Sequence, residues 1–536
     1  MLNEFLKFLV EYENKIVELS KQASLAYFNA SISGKEEDYK KASALQLRIS
    51  KIFANKDDFE KLKKFKNSDE IKNEQVLKRQ LEIIYNAYAG NQFDEKLQEE
   101  IINLSSKVEE KFSTFRAEIN GEKVTDNIID ELLESSTDSE ELKKHWLASK
   151  QIGGIVAEDV KTLVGMRNKS AHELGYKNYH QMSLELSEQN ADDIENLFDE
   201  LDKLTRDSFS KLKNEIDEYL SKRYQITKEE LMPWHYQDKF FQQGPRIYKV
   251  ELDKYYKDKD IVETTRTYYN GIDLNIDDLL EKSDLFEKEG KYQHAYCTNI
   301  DKLGDVRVLC NVKPNYRWMG TMLHEYGHAV YDKYVNPNLP WTLREHAHIF
   351  TTEAIAMLFG RFASNPQWLK DVFGISEEEK ENISDDCFNS LRLEQLVFTR
   401  WVQVMYRFEK SMYENPEQDL NKLWWDLVEK YQMIKKPEGR DEPDWAAKIH
   451  AALYPAYYHN YMLGELLASQ LYFYISEKVI NVSDDKPQSF VNNKEVGAYL
   501  KHLFFSYGAI YHWSELIKKA TGEELTPKYY AKQFVN

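Results

Sequence analysis

Residues Thr321–Asp332 read TMLHEYGHAVYD, and His324-Glu325-Tyr326-Gly327-His328 within them forms an H-E-x-x-H pattern. Residues four apart lie on one face of a helix, so His324 and His328 can offer two imidazoles to one metal ion. Glu325 then stands beside the metal's open position, placed to take a proton from bound water. With 13 histidines in 536 residues, chance supplies about 0.03 such patterns in a chain of this composition. Trp318, Met319, Met322, Leu323, Tyr326, Ala329, Val330 and Tyr331 recur at helical spacing, and Asn336-Pro337 ends the run. Gly327 alone opposes a helix, by about 1 kcal/mol. The competing reading is a pair of core histidines beside a solvated glutamate.

Around this stretch the composition argues for one large helical body. The 12 prolines and 20 glycines are scattered, no linker-like or repeated segment occurs, and 42% hydrophobic content supports a substantial core. A single domain over 1–536 is therefore expected. The formal charge of −19 argues against nucleic acid or an anionic membrane as partner. The opening MLNEFLKFLVEYENKI mixes acidic with apolar residues, as an amphipathic helix does and a signal peptide does not. No run of apolar residues is long enough to span a bilayer. Cys297, Cys310 and Cys387 are odd in number and form no C-x-x-C, which suits reduced thiols in a cytoplasmic protein.

In chain order, residues 1–230 read as almost wholly helical. Phe5, Leu6, Phe8, Leu9, Tyr12 and Ile16 make an apolar stripe, and similar stripes follow at Val76–Ala89, Ile101–Ile119 and Ile194–Leu220. The interleaved Lys and Glu are solvated faces. Near Met232–Asp238, MPWHYQD, the texture becomes that of an irregular aromatic connector. YQHAYCTNI and then DVRVLCNV at Asp305–Val312 alternate with period two around Gly304, predicting a small antiparallel β element just before the metal helix. Such an edge could pair with an extended peptide backbone. A further helix is expected from Pro340-Trp341-Thr342 through Phe362, stopped by Asn365-Pro366, with helix again across the Tyr-rich Ala451–Tyr474. The end, LTPKYYAKQFVN, reads as a last turn or extended tail.

A catalytic zinc needs three protein ligands and one open position. Candidates for the third are Asp332, Glu345, His346, His348 and Glu353. Asp332 is one turn beyond His328 on the same helix and cannot close around the ion, although it can support a ligand. Glu353 falls mid-helix among Phe350, Ala354, Met357 and Phe362, where an unpaired carboxylate is costly and a metal would explain it; a structural ion pair is the alternative. His346 and His348 read as helix-start or cleft residues, with one of them the reserve ligand. Such a site lowers the pKa of bound water toward about 7, and Glu325 can move its proton to a leaving amine. A developing oxyanion needs a further donor. The dense Tyr/His cluster downstream, Lys448–Tyr461, is the place to seek it, although buried Tyr–His pairs are also ordinary core features.

Taken together, these residues resemble the angiotensin-converting-enzyme family of zinc peptidases and its relatives, the thimet oligopeptidase and oligoendopeptidase F family. The resemblance implies a mainly α, zincin-like (gluzincin) fold of two helical lobes flanking a deep channel. In it, helices of about 1–110 form a lid, and the zinc site and substrate strand lie within about 290–470. It implies one Zn2+ per chain on His324, His328 and Glu353, with Glu325 as general base. Gln293-His294-Ala295-Tyr296 followed by VRVLCNV looks like the family's strand with a His-Ala pair, implying that His294 and Ala295 contact the bound peptide. Lys448-Ile449-His450 is similar to the family's Lys-x-His: Lys448 toward the substrate's terminal carboxylate, His450 toward the intermediate. In YYHNYMLGEL, Tyr458 resembles the tyrosine facing the carboxylate and Tyr461 the one facing the oxyanion.

Four departures stand out. Tyr461 lies one residue farther beyond His450 than in converting enzymes. Asn460 replaces the arginine associated with chloride activation, Met357 stands where an Asp beside the ligands is expected, and Gln293 removes the animal enzymes' local disulfide. The expectation is a zinc metallopeptidase that cleaves short oligopeptides, releasing carboxyl-terminal dipeptides. An oligoendopeptidase is the first alternative. A single-residue helical zinc carboxypeptidase is weakened by the missing His-Glu-Ser-Gln around Glu353. A non-catalytic peptide-binding scaffold has no use for Glu325. Oligomeric state is not legible.

Overall fold

A computed structural model of the chain describes residues 1–248, 250–483 and 487–535. They form helices of very different lengths and two small sheets, each an antiparallel pair. No helix among them is long and apolar enough to cross a membrane. The chain divides into two compact units. One comprises Met1–Gln92, Val250–Cys387 and Leu463–Tyr529; the other comprises Phe93–Lys249, Phe388–Met462 and Tyr530–Asn536.

The first unit opens with the helix Leu2–Ser33, whose stripe is buried at Phe5, Phe8, Leu9, Tyr12 and Ile16, while Leu6 is exposed. Phe5 and Phe8 pack on Phe65, and Tyr12 meets Trp341, so the stripe is core rather than a partner surface. The predicted β element is a hairpin of Tyr296–Asn299 with Val306–Leu309, in register Tyr296↔Leu309 and Asn299↔Val306. It is shorter than its alternating sequence, and His294 and Ala295 precede its first strand. Lys291 secures its base: the fully buried ammonium meets Asp284 Oδ1 (2.7 Å) and the carbonyls of Asp284, Phe286 and Cys310. Asn311 closes the other side by donating its amide to the carbonyls of Tyr292 and Gln293.

The single helix expected from Pro340 to Phe362 is instead a 3-10 turn at Trp341–Leu343, an irregular passage, and the helix Ile349–Gly360. The reason is local. His348 is extended, and its Nδ1 accepts the Phe350 N–H (3.2 Å), so the side chain starts a helix there. Asn365 then caps a new helix, Pro366–Phe373, with Pro in its first turn. The closing residues are helical at Lys528–Phe534.

In the second unit, long helices such as Gln151–Glu173 and Ala191–Tyr224 bury Val160, Leu163, Phe198, Leu201 and Phe209. Arg400, 1% exposed on its side chain, is neutralised by Asp202. The helical stripe expected to run to Ile119 ends at Thr114, and Ala117–Ile119 pairs with Glu122–Val124 in a hairpin. Its turn is Asn120-Gly121, both at positive φ (55° and 85°), a dipeptide suited to the left-handed turns that match strand twist. The connector after Tyr224 is irregular as expected, with a 3-10 turn at Pro233–His235. Pro455 divides the Tyr-rich stretch into Ile449–Leu453 and His459–Tyr474.

Candidate active site

The helix Tyr316–Tyr334 starts where Asn315 accepts the Trp318 N–H (2.9 Å). Its buried face carries Met319, Met322, Leu323, Tyr326, Ala329 and Val330, with Glu325 buried among them. The His324 and His328 rings, 4.9 Å apart between centroids, turn toward the helix Ile349–Gly360. There Glu353 Oε2 lies 3.7 Å from His324 Nε2 and 3.9 Å from His328 Nε2. The candidate ligand atoms of the three residues all fall within 4.8 Å of one another. Tetrahedral ligands at about 2.0–2.1 Å from zinc stand about 3.4 Å apart, so small adjustments would close the set. Two imidazoles and one carboxylate are also the donor chemistry of catalytic zinc sites that keep one position open.

The electrostatics fit a cation as well. Burial holds the His324 imidazole down at about 4 and His328 well below its ordinary value, leaving both rings neutral with a lone pair to give. Burial, then the nearby Glu353 carboxylate, pushes Glu325 up to about 8. Glu353 is pushed up to about 7 by burial and then by Glu465. Carboxyls driven toward neutrality beside neutral imidazoles are a constellation that a dication stabilises.

The remaining ligand candidates have other occupations. Glu345 pairs with Lys302 (2.5 Å), whose charge pulls it down to about 2. Asp332 Oδ1 lies 3.6 Å from His346 Nδ1, and neither residue is among the three whose ligand atoms converge. His348 is the helix cap described above.

Thr352 and Glu465, beside the cluster, carry no signal in the sequence. Thr352 Oγ1 is 2.8 Å from His328 Nδ1. With Nε2 kept for a metal, Nδ1–H donates to the threonine, which fixes tautomer and ring orientation. Met357 offers no such group. Arg361 forms an ion pair with Glu465 and donates to Ser469 Oγ (3.1 Å), holding that carboxylate in electrostatic range of His324 and Glu353. Thr352→Val, nearly isosteric, is expected to weaken zinc binding about 10–100-fold. Competition against a chromophoric chelator measures this, and an unchanged zinc affinity would reduce the Thr352 contact to packing.

In the second unit, Lys448, His450, Tyr458 and Tyr461 form a cluster of their own. His450 stacks edge-on to Tyr458 (centroids 5.1 Å), and Tyr458 to Tyr461 (5.4 Å). Lys448 Nζ lies 5.4–5.9 Å from the rings of Trp401, Phe240 and Tyr458, and bonds to Gln242 Oε1 at 2.5 Å. Among the described residues it forms no ion pair, and burial lowers its pKa to about 8. Trp401 Nε1 donates to the Tyr458 hydroxyl (2.8 Å), aiming it. His450 is held neutral by burial, with a pKa of about 4, and its Nδ1 is buried without a partner among the described residues. Gln242 and Trp401 carried no local signal; the aromatic connector hinted only at the region. In the first unit, His294 is exposed beside Tyr292 (centroids 5.4 Å), immediately before the hairpin strand.

Comparison with known proteins adds to this geometry. The model of the angiotensin-converting enzyme family matches residues 2–529. A thermostable carboxypeptidase 1 of Pyrococcus furiosus is 24% identical over 58% of this chain and 64% of its own length. The angiotensin-converting enzyme of Theromyzon tessulatum is 24% identical over 43% of this chain and 38% of its own, and a chromosomal oligoendopeptidase F of Lactococcus lactis is 26% identical over 34% and 30%. The match covers less than two thirds of the length of each of these relatives.

Proposed function

The chain belongs to the angiotensin-converting enzyme family, and from that premise we propose that it is a zinc metallopeptidase releasing dipeptides from the carboxyl ends of short oligopeptides. The observation that carries the peptidase reading is the convergence of His324, His328 and Glu353 with the buried Glu325 one residue along the same helix. The two imidazoles and Glu353 would hold one zinc ion, which supplies Lewis acidity and a bound water of lowered pKa. Glu325 takes the proton of the attacking water and returns it to the departing amine. Tyr461 donates its hydroxyl to the developing oxyanion, and neutral His450 supports the same charge with its Nε2–H. His294 and the Ala295 backbone hold the peptide in an extended form.

Lys448 and Tyr458 favour the dipeptide-releasing mode. A buried ammonium whose hydrogen-bond partner is a neutral glutamine, beside a hydroxyl already aimed by Trp401, suits a terminal carboxylate. Mass spectrometry of the products from a decapeptide, offered with a free and with an amidated carboxyl end, tests this. Dipeptides from the free form alone are expected. Internal cuts in both forms would make the protein an oligoendopeptidase, and single residues would make it a carboxypeptidase, the activity named for the Pyrococcus relative.

The same clamp predicts a pH dependence. Lys448 is lowered from 10.5 to about 8, so its charge is present below about 8 and lost as pH rises through that value. KM for peptides with a free carboxyl end is therefore expected to climb above pH 8, while kcat at saturation changes less because a bound carboxylate keeps the ammonium charged. Initial rates from pH 6.5 to 9.5 measure it. A flat KM would take Lys448 out of the carboxylate's reach.

A further inference from the structure

Tyr458 and Tyr461 follow a difficult piece of backbone. They lie at the start of the helix His459–Tyr474, just after Pro455-Ala456, and Ala456 has φ +53°. A left-handed non-glycine residue is strained, and the first turn of a helix has few intrahelical partners for its N–H groups. Such a segment would tend to fray. A tyrosine that must meet an oxyanion needs the reverse, since misplacement by about 1 Å can cost about 100-fold in rate.

Two buried side chains from distant parts of the second unit hold this segment. Glu409, 5% exposed, accepts the Ala456 N–H at 2.7 Å. Gln189, 3% exposed, uses both ends of its amide: Oε1 lies 2.7 Å from His459 Nε2, and Nε2 donates to Asn460 Oδ1 at 2.8 Å. His459 and Asn460 are themselves 1% and 4% exposed, and the Tyr406 ring packs on His459 (centroids 5.8 Å). Four consecutive residues, Tyr458 to Tyr461, thus include two whose side chains end on one glutamine. Filling that space needs only an apolar side chain of similar size. A buried amide that must find two partners instead specifies one rotation of the helix start.

We propose that Gln189, seconded by Glu409, is a positioning residue for catalysis, fixing the 456–460 turn so that the Tyr461 hydroxyl is held where the oxyanion develops. The proposal rests on the oxyanion role of Tyr461 given above.

The test is a double-mutant cycle on the full-length, zinc-loaded enzyme. Gln189→Met keeps volume and removes both hydrogen bonds; it is expected to lower kcat about 10–100-fold with KM and zinc content unchanged. In a Tyr461→Phe background the same change is expected to cost less than about twofold, because the hydroxyl it positions is gone. Gln189→Glu is expected to recover most of the rate, since a carboxylate accepts from His459 Nε2–H and from a flipped Asn460 amide. Should Gln189→Met not fold, Asn460→Ala breaks the Gln189–Asn460 bond from the other end with a smaller perturbation and is read in the same cycle. Equal losses with and without the Tyr461 hydroxyl, or a loss confined to melting temperature, would overturn the proposal. A Tyr461→Phe enzyme with full kcat would instead remove the oxyanion reading beneath it, an outcome visible before Gln189 is touched.

Discussion

Glu325→Gln is expected to lower kcat by about 100- to 10,000-fold while leaving one zinc bound per chain. The change keeps the shape of a side chain that is 8% exposed and removes only its capacity to accept a proton. His324, His328 and Glu353, the three residues whose ligand atoms converge, are untouched, so zinc affinity should stay within about threefold of wild type. Stability should hold or rise, because an amide avoids the cost of an ionised group in a site where burial drives the carboxyl toward neutrality. Zinc analysis by mass spectrometry, steady-state kinetics on one oligopeptide and a thermal melt separate these terms. Retained turnover would place the proton acceptor elsewhere, and loss of zinc would make Glu325 part of the metal's support rather than a base. The two results together also decide against a peptide-binding scaffold, in which the substitution would have no turnover to remove.

The parts of the site that were legible in the sequence are those whose logic is local. His324 and His328 are four apart and sit in an apolar stripe, so both helix and shared face follow from spacing alone. Glu353 was legible because a carboxylate among Phe350, Ala354 and Phe362 is anomalous unless something pairs with it. The roles proposed for Lys448, His450, Tyr458 and Tyr461 come from a resemblance alone; nothing in their spacing distinguishes a site from a tyrosine-rich core. The contacts of Thr352, Glu465, Gln242 and Gln189 were out of reach, since each is made by chain folding: Gln189 meets Asn460 across 271 residues of sequence. Elsewhere a signal existed and a stronger pattern covered it. Asn120-Gly121 announces a hairpin, yet the helical stripe before it extends smoothly past Thr114. His348 interrupts an apolar run that otherwise reads as one helix, because its cap bond outweighs the local periodicity.

Gly327 illustrates the same division, and it leads to the second large effect. Judged by propensity it weakens the helix by about 1 kcal/mol relative to alanine, so a purely local argument predicts that Gly327→Ala stabilises the protein. The structure reverses the sign. A methyl group at Gly327 would stand 2.7 Å from the Ala356 Cα, 3.1 Å from its backbone nitrogen and 3.2 Å from the Ile355 carbonyl oxygen. These are backbone atoms of the helix that carries Glu353, so no rotamer change relieves the contact; the two helices must separate. Overpacking of this kind costs about 1–3 kcal/mol, enough to cancel the propensity gain. The displacement also falls between His324 and His328 on one helix and three residues beyond Glu353 on the other, where it opens the ligand triangle directly. Gly327→Ala is therefore expected to lower the melting temperature of the metal-free protein and to weaken zinc binding at least about tenfold, with kcat at saturating zinc falling as well. Gly327→Val should be worse on each count. A chelator competition and a melt of the metal-free protein measure the two effects separately. A more stable Gly327→Ala protein with wild-type zinc affinity would mean that the helices tolerate the extra methyl, and that the glycine is not what sets the approach of Glu353 to the two histidines.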